Sequence, residues 1–207
     1  MNYGELKELI NLYLKRKSLI ARIPGFIQLA CARVSRDLFV KDMVIRAETT
    51  VLAGSRFVSI PPSCKRLIKL EIDNGSGPQG VSLMSQTQLD SFYPEGYSGA
   101  VSGYSMVGTE LEIRPVPVET TSLYLTYYGR PSAFVYDTDT NQVLTDSPNV
   151  YIYATMLEAS PFIHADERMP LWKELYAEEV QALNSQEDEM RYSGGYSQIV
   201  PLGGDTP

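Results

Sequence analysis

Residues 104–114 read YSMVGTELEIR, two short runs containing apolar and β-branched residues on either side of Gly108-Thr109. A two-residue connection of this kind between such runs is typical of a tight β-hairpin. We therefore predict one strand over Tyr104–Val107 and a second over Glu110–Arg114. This hairpin indicates that the middle of the chain is built of antiparallel strands.

Strand-like runs continue on both sides of this hairpin and are separated by Gly, Pro and Asn. Short runs rich in β-branched and aromatic residues predict β-strands. We expect Gly54-Ser55 to join the first two of these strands and Asn74-Gly75 to end the third. Together with the hairpin, they indicate an antiparallel sheet of five or six strands. The additional predicted strands are Val44–Leu52, Arg56–Ile60, Arg66–Ile72 and Ser122–Tyr128.

The first 40 residues follow a helical period instead. Apolar residues over Tyr3–Tyr13 recur at intervals of three and four, which predicts an amphipathic helix. A second helix is predicted from Pro24, whose fixed φ suits a first helical turn, to the neighbourhood of Phe39. The N-terminal segment is therefore expected to contain two helices.

Helical signals return after the strands. Ser147-Pro148 places a hydroxyl N-cap before a proline at the first helical position, and this third helix should end before Pro161. A fourth helix is predicted to begin near Asp166-Glu167, because negative charge suits a helix N-terminus. Pro170 complicates this start, because it would remove a helical hydrogen bond unless it lies within the first turn.

The four predicted helices each leave an apolar face to be covered, and the two pairs stand at opposite ends of the chain. The simplest way to bury these faces is to pack them on one another. The predicted fold class is therefore α+β. It consists of a helical bundle of residues 1–42 and 145–191, an inserted antiparallel β-domain of residues 43–144, and an extended C-terminal arm of residues 192–207.

The composition excludes several classes of protein. The 207 residues include 18 Lys or Arg and 25 Asp or Glu, and the net charge of −7 opposes a surface that grips nucleic acid. Two cysteines, Cys31 and Cys64, are too few for a disulfide framework or a cysteine-based zinc site, and we interpret both as small buried apolar residues. No secretory signal and no membrane span are visible, so we expect cytoplasmic synthesis and no membrane partner.

The residues that could perform nucleophilic catalysis are few. His164 is the single histidine and lies beside Asp166 in a predicted turn, where a lone imidazole lacks the orienting group that a triad requires. Ser98 lies in a Gly-Tyr-Ser-Gly-Ala segment, which misses the last glycine of the nucleophile-elbow pattern and follows no predicted strand. We therefore expect no catalytic residue.

A glycine-rich stretch, Gly75–Gly80, matches the spacing of the dinucleotide-binding motif. That motif works only where the glycines open a helix, and Pro78 with the apolar run after it favours a hairpin loop instead. We therefore expect no cofactor, no metal and no enzyme activity.

The C-terminal residues are the predicted interaction site. Glu187, Asp188 and Glu189 end the last helix with charge that is unfavourable against its dipole. Either solvent covers this run, or it faces a partner or a lumen. The residues beyond it hold too few apolar side chains for a core and are predicted to pack across a partner surface. The predicted partner-binding residues are Tyr192, Tyr196, Ile199, Val200 and Leu202.

A series of short segments in a fixed order runs through nearly the whole chain. In the N-terminal half they are Asn2–Leu6, Phe26–Ala30, Arg36–Leu38 and Ile60–Ser63. In the C-terminal half they are Tyr104–Gly108, Leu111–Pro117, Ser147–Ala154, Leu157–Ala159, Asp166–Arg168, Trp172 and Ser193–Gly195. In this order and spacing they resemble the head-to-tail adaptor, or connector, proteins of short-tailed bacteriophages.

The resemblance implies a structural protein of the virion, located at the interface between head and tail. It implies a homo-oligomeric ring, usually dodecameric, docked beneath the portal, with genomic DNA passing through its lumen without sequence-specific binding. It also implies a platform for tail, nozzle or fibre proteins, and it makes the portal or an adjacent subunit the partner of the C-terminal arm. The alternatives are another tail or baseplate structural protein and, less favoured, a hydrolase that uses Ser98, His164 and an Asp.

Overall fold

The computed structural model describes residues 1–73, 75, 77–163 and 167–192, without the side chains of residues 187–192. The architecture is α+β, as predicted. Within these ranges no helix has the length and apolarity needed to cross a lipid bilayer. The α-helices found there are α1 (Tyr3–Leu14), α2 (Ile23–Asp37), α3 (Gln86–Phe92), α4 (Gln142–Asp146), α5 (Pro148–Ala159) and α6 (Met169–Tyr192). The strands are β1 (Val44–Val51), β2 (Phe57–Ser59), β3 (Cys64–Asp73), β4 (Pro78–Gly80), β5 (Ser82–Leu83), β6 (Gly103–Val107), β7 (Glu110–Arg114) and β8 (Thr121–Gly129).

The chain divides into two compact units. The helical unit comprises Met1–Val40 and Ser132–Pro207, and the β unit comprises Lys41–Pro131. The sequence predicts residues 132–144 as part of the inserted β-domain, whereas the structure groups them with the helices. Contacts between residues 132–144 and the N-terminus of α1 explain this difference.

The start of α1 is completed by the segment that follows the β unit. The first N–H groups of a helix have no acceptor within the helix. The backbone N–H of Tyr3 donates to the carbonyl of Asp139, and that of Gly4 donates to the carbonyl of Asp137, each at 2.8 Å. The ring of Phe134 also stacks on Tyr3, with centroids 5.3 Å apart. These contacts make the segment part of the helical unit.

The central element of the helical unit is α5. It contacts α1, α2, α4 and α6, and its predicted apolar residues Val150, Ala154 and Leu157 are buried. The helix begins at Pro148, as predicted. The predicted N-cap is wrong in its detail, because the Ser147 side chain makes no capping hydrogen bond. Ser147 is also the C-cap of α4, and its backbone N–H donates to the carbonyl of Val143 in that helix. Its own backbone is not in the extended conformation that is usual for an N-cap.

The last helix, α6, begins at Met169, slightly later than predicted. Pro170 therefore lies in the first turn, where its missing N–H costs no helical hydrogen bond. Trp172 and Tyr176 lie buried on the face toward the other helices. The Tyr176 hydroxyl donates to Asp37 Oδ2 at 3.0 Å, which ties α6 to the end of α2.

The β unit contains two four-stranded sheets, which corrects the prediction of one sheet of five or six strands. One sheet is antiparallel, in the order β1-β8-β3-β4, and the other has the order β2-β7-β6-β5 with a parallel β5–β6 pair. Gly54-Ser55 therefore connects strands of different sheets. Two facing sheets bury both of their apolar faces in one core, whereas a single sheet would leave one apolar face uncovered. Both sheets supply this core, which includes Val58, Leu70, Ile72, Leu111, Ile113, Leu123, Leu125 and Tyr127.

The hairpin that decides the central fold is confirmed. β6 and β7 pair in antiparallel register with Val107 opposite Glu110, so that Gly108-Thr109 is the two-residue loop. Gly108 has a φ of +61°, the left-handed region that favours glycine in such turns.

The glycine-rich stretch after β3 is also part of a hairpin, as predicted. Asp73 Oδ1 accepts hydrogen bonds from the backbone N–H groups of Gly75 and Gly77, at 2.8 and 3.1 Å. Pro78 then pairs with Asp73 as β4 returns along β3. Because a strand and not a helix follows the glycines, the stretch cannot present a helix N-terminus to a pyrophosphate.

Candidate functional site

The predicted C-terminal interaction site falls at the limit of the described residues. Glu187, Asp188 and Glu189 belong to α6, but their side chains lie outside the described part of the structure. The same holds for the side chain of Tyr192 and for all of residues 193–207. The assignment of partner binding to Tyr192, Tyr196, Ile199, Val200 and Leu202 therefore stays a prediction.

The structure gives no support to the hydrolase alternative. His164 and Asp166 lie outside the described residues. Ser98 is exposed and forms an isolated β-bridge with Val116, which is not the strand-to-helix turn of a nucleophile elbow. Among the described residues, no group of three or more His, Cys, Asp and Glu side chains could hold a metal ion.

Both cysteines are free, and each is only partly buried, whereas buried side chains were expected. Burial raises the pKa of the Cys31 thiol to about 11, and it also raises the pKa of Cys64. Both side chains are therefore protonated thiols at neutral pH, and a thiol is a poor nucleophile. They are not candidates for covalent chemistry.

A buried ionic cluster lies between α3 and the outer face of the second sheet. Glu112 and Arg114 are adjacent on that face of β7 and are 1% and 2% exposed. Glu112 Oε1 accepts hydrogen bonds from Arg56 Nε at 2.5 Å and from Arg114 Nε at 3.0 Å. The amide of Gln86, the first residue of α3, donates to Glu112 Oε2. Both oxygens of the buried carboxylate thus have donors.

These donors keep Glu112 ionised. Burial by itself would raise the pKa of this carboxyl, but the hydrogen bonds from Arg56, Gln86 and Arg114 outweigh burial and lower the pKa below its ordinary value. The same contact with Glu112 raises the pKa of Arg56. The carboxylate of Glu112 is therefore a fixed negative charge at neutral pH.

The cluster also holds the loop that follows α3. Arg114 Nη1 donates to the carbonyls of Tyr93 and Pro94 at 3.2 and 3.4 Å, and Arg114 Nη2 lies 3.7 Å from Asp90 Oδ1. At its other end, α3 is fixed by a capping box between Ser85 and Gln88. A single buried arginine thus sets the position of the loop backbone.

Three segments of the β unit, residues 52–55, 85–100 and 115–120, are joined by hydrogen bonds, and we call them together the loop end. The N–H of Gly54 donates to the carbonyl of Pro117 at 2.9 Å, which links the first loop to the third. The N–H of Gly99 donates to the carbonyl of Val116 at 2.9 Å, and the N–H of Val116 donates to the carbonyl of Tyr97 at 3.2 Å. These backbone hydrogen bonds hold the three segments of the loop end together.

The surface of the loop end combines apolar groups with negative charge. Leu52, Phe92, Tyr97 and Val118 are between 55% and 66% exposed. The three ranges contain Asp90, Glu95 and Glu119, all exposed, and no Lys or Arg. The neighbouring cations, Arg56 and Arg114, bond Glu112 and also lie 3.9 Å from Glu95 and 3.7 Å from Asp90, so that Glu119 is the loop-end carboxylate with no ion pair among the described residues. An open cleft of about 450 Å³ lies among the loops and is lined in part by Gly99, Pro117 and Thr120.

A second exposed surface, in the helical unit, has the opposite charge. Residues 15–22 connect α1 to α2 and include Lys15, Arg16, Lys17 and Arg22, all exposed. We call residues 12–22 the basic turn. No acidic residue occurs between Glu8 and Asp37. Three apolar residues are also exposed in the basic turn: Leu12 (67%), Tyr13 (38%) and Ile20 (46%).

Sequence reasoning missed the ionic cluster, although its signal is present. In the predicted strand Glu110–Arg114, the alternation of strand faces places Glu112 and Arg114 on the same side. Opposite charges two residues apart on a strand can form a pair. Arg56 and Gln86 could not be added, because they come from distant parts of the chain.

Comparison with known proteins identifies one matching family. The family model described as SU10 adaptor protein, a phage head-to-tail adaptor family, matches residues 1–199. The match covers every helix and strand described above and the whole of the β unit. No curated protein matches the chain. The resemblance to phage head-to-tail adaptors that the sequence segments indicate is therefore confirmed.

Proposed function

This chain belongs to the SU10 adaptor protein family, and we propose from that premise that it joins the portal of a phage head to the tail. The family is structural, and it makes the chain a component of the virion. The observation that carries the proposal is the family match over residues 1–199. A structural role also accords with the ionic cluster, in which Arg56 and Arg114 both bond the buried carboxylate of Glu112.

We propose that the adaptor works as a homo-oligomeric ring, dodecameric as is usual in the family, beneath the portal. DNA would pass through its lumen and leave by it during ejection. The net charge of −7 supports this use, since a negatively charged wall repels DNA and does not retain it. Tail, nozzle or fibre proteins would dock on the other side of the ring.

We propose a separate role for each part of the chain. The terminal helices of residues 1–42 and 145–191 act as one bundle, for which the contacts of α5 with α1, α2 and α6 are the support. This bundle carries the arm of residues 192–207 to the portal or to an adjacent subunit. Basic groups of that partner would neutralise Glu187, Asp188 and Glu189. The β unit, Lys41–Pro131, faces the tail proteins.

The test uses the portal protein encoded by the same phage. The full chain mixed with portal should form a complex of defined mass in mass photometry, with a ring of adaptor copies on each portal. Deletion of residues 193–207 should abolish this complex. Deletion of residues 203–207, which removes none of the predicted apolar contact residues, is the matched control and should leave it intact.

Each outcome bears on a separate part of the proposal. Failure of the full chain to bind portal would overturn the adaptor function itself. Binding by the 193–207 deletion at the affinity of the full chain would overturn the role of the arm alone. In that case the surface of the helices would be the portal contact.

A further inference from the structure

The two exposed surfaces described above are complementary in charge. The loop end carries three exposed carboxylates and no Lys or Arg, and the basic turn carries four exposed cations and no carboxylate. Complementary surfaces of this kind steer association and fix its orientation.

The charges on each surface accompany exposed apolar groups. Leu52, Tyr97 and Val118 project from the loop end, and Leu12 and Ile20 project from the basic turn. Protein interfaces combine an apolar centre with a polar or charged rim. Phosphate backbones offer nothing to an exposed leucine or isoleucine, so the composition of the basic turn favours a protein partner over DNA.

The loop end is also prepared for binding. The hydrogen bonds among its three loops and the two from Arg114 to the loop carbonyls already fix the backbone. A surface that is ordered before binding loses less conformational entropy when a partner docks. The cations of the basic turn are likewise available to a partner, because Lys15, Arg16 and Lys17 form no ion pair within the described part of the chain.

We propose that the loop end of one copy docks on the basic turn of a second copy, and that this contact joins neighbouring subunits of the adaptor. The inference rests on the proposed function, since a ring requires two different surfaces that meet head to tail. It adds to that function the surfaces involved and the chemistry that matches them. A head-to-tail contact between two unlike surfaces closes into a ring when the rotation between subunits permits it.

The experiment reverses the charge of one surface at a time. Lys15→Glu, Arg16→Glu and Lys17→Glu together change the basic turn from four positive charges to a net charge of −2. Glu95→Lys with Glu119→Lys changes the loop end from three negative charges to a net charge of +1. All five side chains are exposed, and the one ion pair that the changes remove, between Arg56 and Glu95 at 3.9 Å, has a carboxylate side chain that is 93% exposed. The variants should therefore melt close to the wild type. The number of adaptor copies on purified portal is measured by mass photometry, and self-association without portal is measured by sedimentation velocity.

Each variant alone should assemble about tenfold or more weakly than the wild type, because like charges then face each other at every contact. An equimolar mixture should recover assembly, since a reversed basic turn then meets a reversed loop end. The wild-type contact should also weaken as salt is raised, because its charges are exposed. Glu48→Lys with Glu110→Lys, two exposed sites on the β unit outside the loop end, is the matched control and should assemble normally.

Three results would overturn the inference. The first is wild-type assembly by both charge-reversed variants. The second is a loss confined to the reversed basic turn, without rescue in the mixture and with loss of binding to duplex DNA, which would make DNA the occupant. The third is normal self-association of both variants with loss of portal binding alone, which would make the portal the occupant. A wild-type chain that neither binds portal nor self-associates would overturn the adaptor function as well, so the two failures are distinguishable.

Discussion

The β unit and the helical unit use ion pairs in opposite ways. In the β unit, Glu112 and Arg114 are almost completely buried, and hydrogen bonds surround both. In the helical unit, the pair Lys7–Asp137 leaves the carboxylate 72% exposed. A buried charge whose partner is removed costs several kcal/mol, whereas an exposed pair contributes about 0–1 kcal/mol. The cluster therefore determines the geometry of its surroundings, and the surface pairs only adjust stability.

The largest effect should follow from Glu112→Ala. This change removes the buried carboxylate that bonds Arg114 at 3.0 Å and leaves the half-exposed Asp90 at 3.7 Å as its remaining acidic neighbour. Breaking a buried pair typically costs about 3–5 kcal/mol. Urea unfolding of the full chain measures the loss. The control is Glu110→Ala, on the same strand but exposed, which should change the free energy of unfolding by less than about 0.5 kcal/mol. Equal effects of the two changes would show that the cluster does not restrain the fold.

Acid should weaken the same cluster by less than the mutation does. The pKa of Glu112 is lower in the folded chain than the ordinary value of about 4.3 that the unfolded chain has. Its contribution is therefore complete above that ordinary value and is lost as the pH falls through the lower folded pKa. Unfolding measured between pH 3 and pH 7 should show a steeper loss in acid for the wild type than for Glu112→Gln. Parallel pH profiles of the two proteins would contradict this prediction.

A smaller loss is expected from Arg33→Ala in the helical unit. Arg33 lies on α2 and bonds Glu158 on α5, with its Nε 2.7 Å from Glu158 Oε1, and both side chains are partly exposed. Partial exposure to solvent reduces the strength of the pair, so we expect a loss of about 1 kcal/mol in urea unfolding. Arg16→Ala, which removes an exposed cation that has no ion-pair partner among the described residues, is the control. A loss as large as that of Glu112→Ala would remove the difference between the units.

The smallest effect should come from Lys7→Ala. The ammonium of Lys7 bonds Asp137 and lies 4.7 Å from the ring centroid of Tyr3, but solvent reaches both charged groups. We expect a loss below about 1 kcal/mol that disappears in high salt. Thermal melts at low and high ionic strength are sufficient to measure it. A loss that is unchanged by salt would indicate a packing role for the lysine side chain.

Local patterns in the sequence predicted the elements more accurately than they predicted the pairing of those elements. The hairpin at Gly108-Thr109 and the helix that begins at Pro148 depend on residues a few positions apart, and both are confirmed. β1 pairs with β8, some seventy residues later, and no turn connects them. The apolar alternation of a strand shows which face is buried but not which strand lies beside it. The division into two sheets was therefore beyond the reach of local patterns.

The candidate surfaces show the same limit. The charges of the basic turn can be read directly from Lys15, Arg16 and Lys17. The loop end cannot be read in this way, because it unites three loops that the fold brings together. The role of residues 132–144 was missed for the same reason, since their carbonyls accept from Tyr3 and Gly4 at the opposite end of the chain.

The pairing of β1 with β8 has a practical consequence for protein engineering. Val44 and Tyr128 are directly opposite each other in antiparallel register, so the chain enters and leaves the β unit at neighbouring positions about 5 Å apart. A segment whose two ends meet in this way can be excised and expressed as a separate polypeptide, or exchanged for the equivalent segment of a related protein through two splice points. The β unit is in this sense a cassette, and chimaeric adaptors could be assembled by exchanging it.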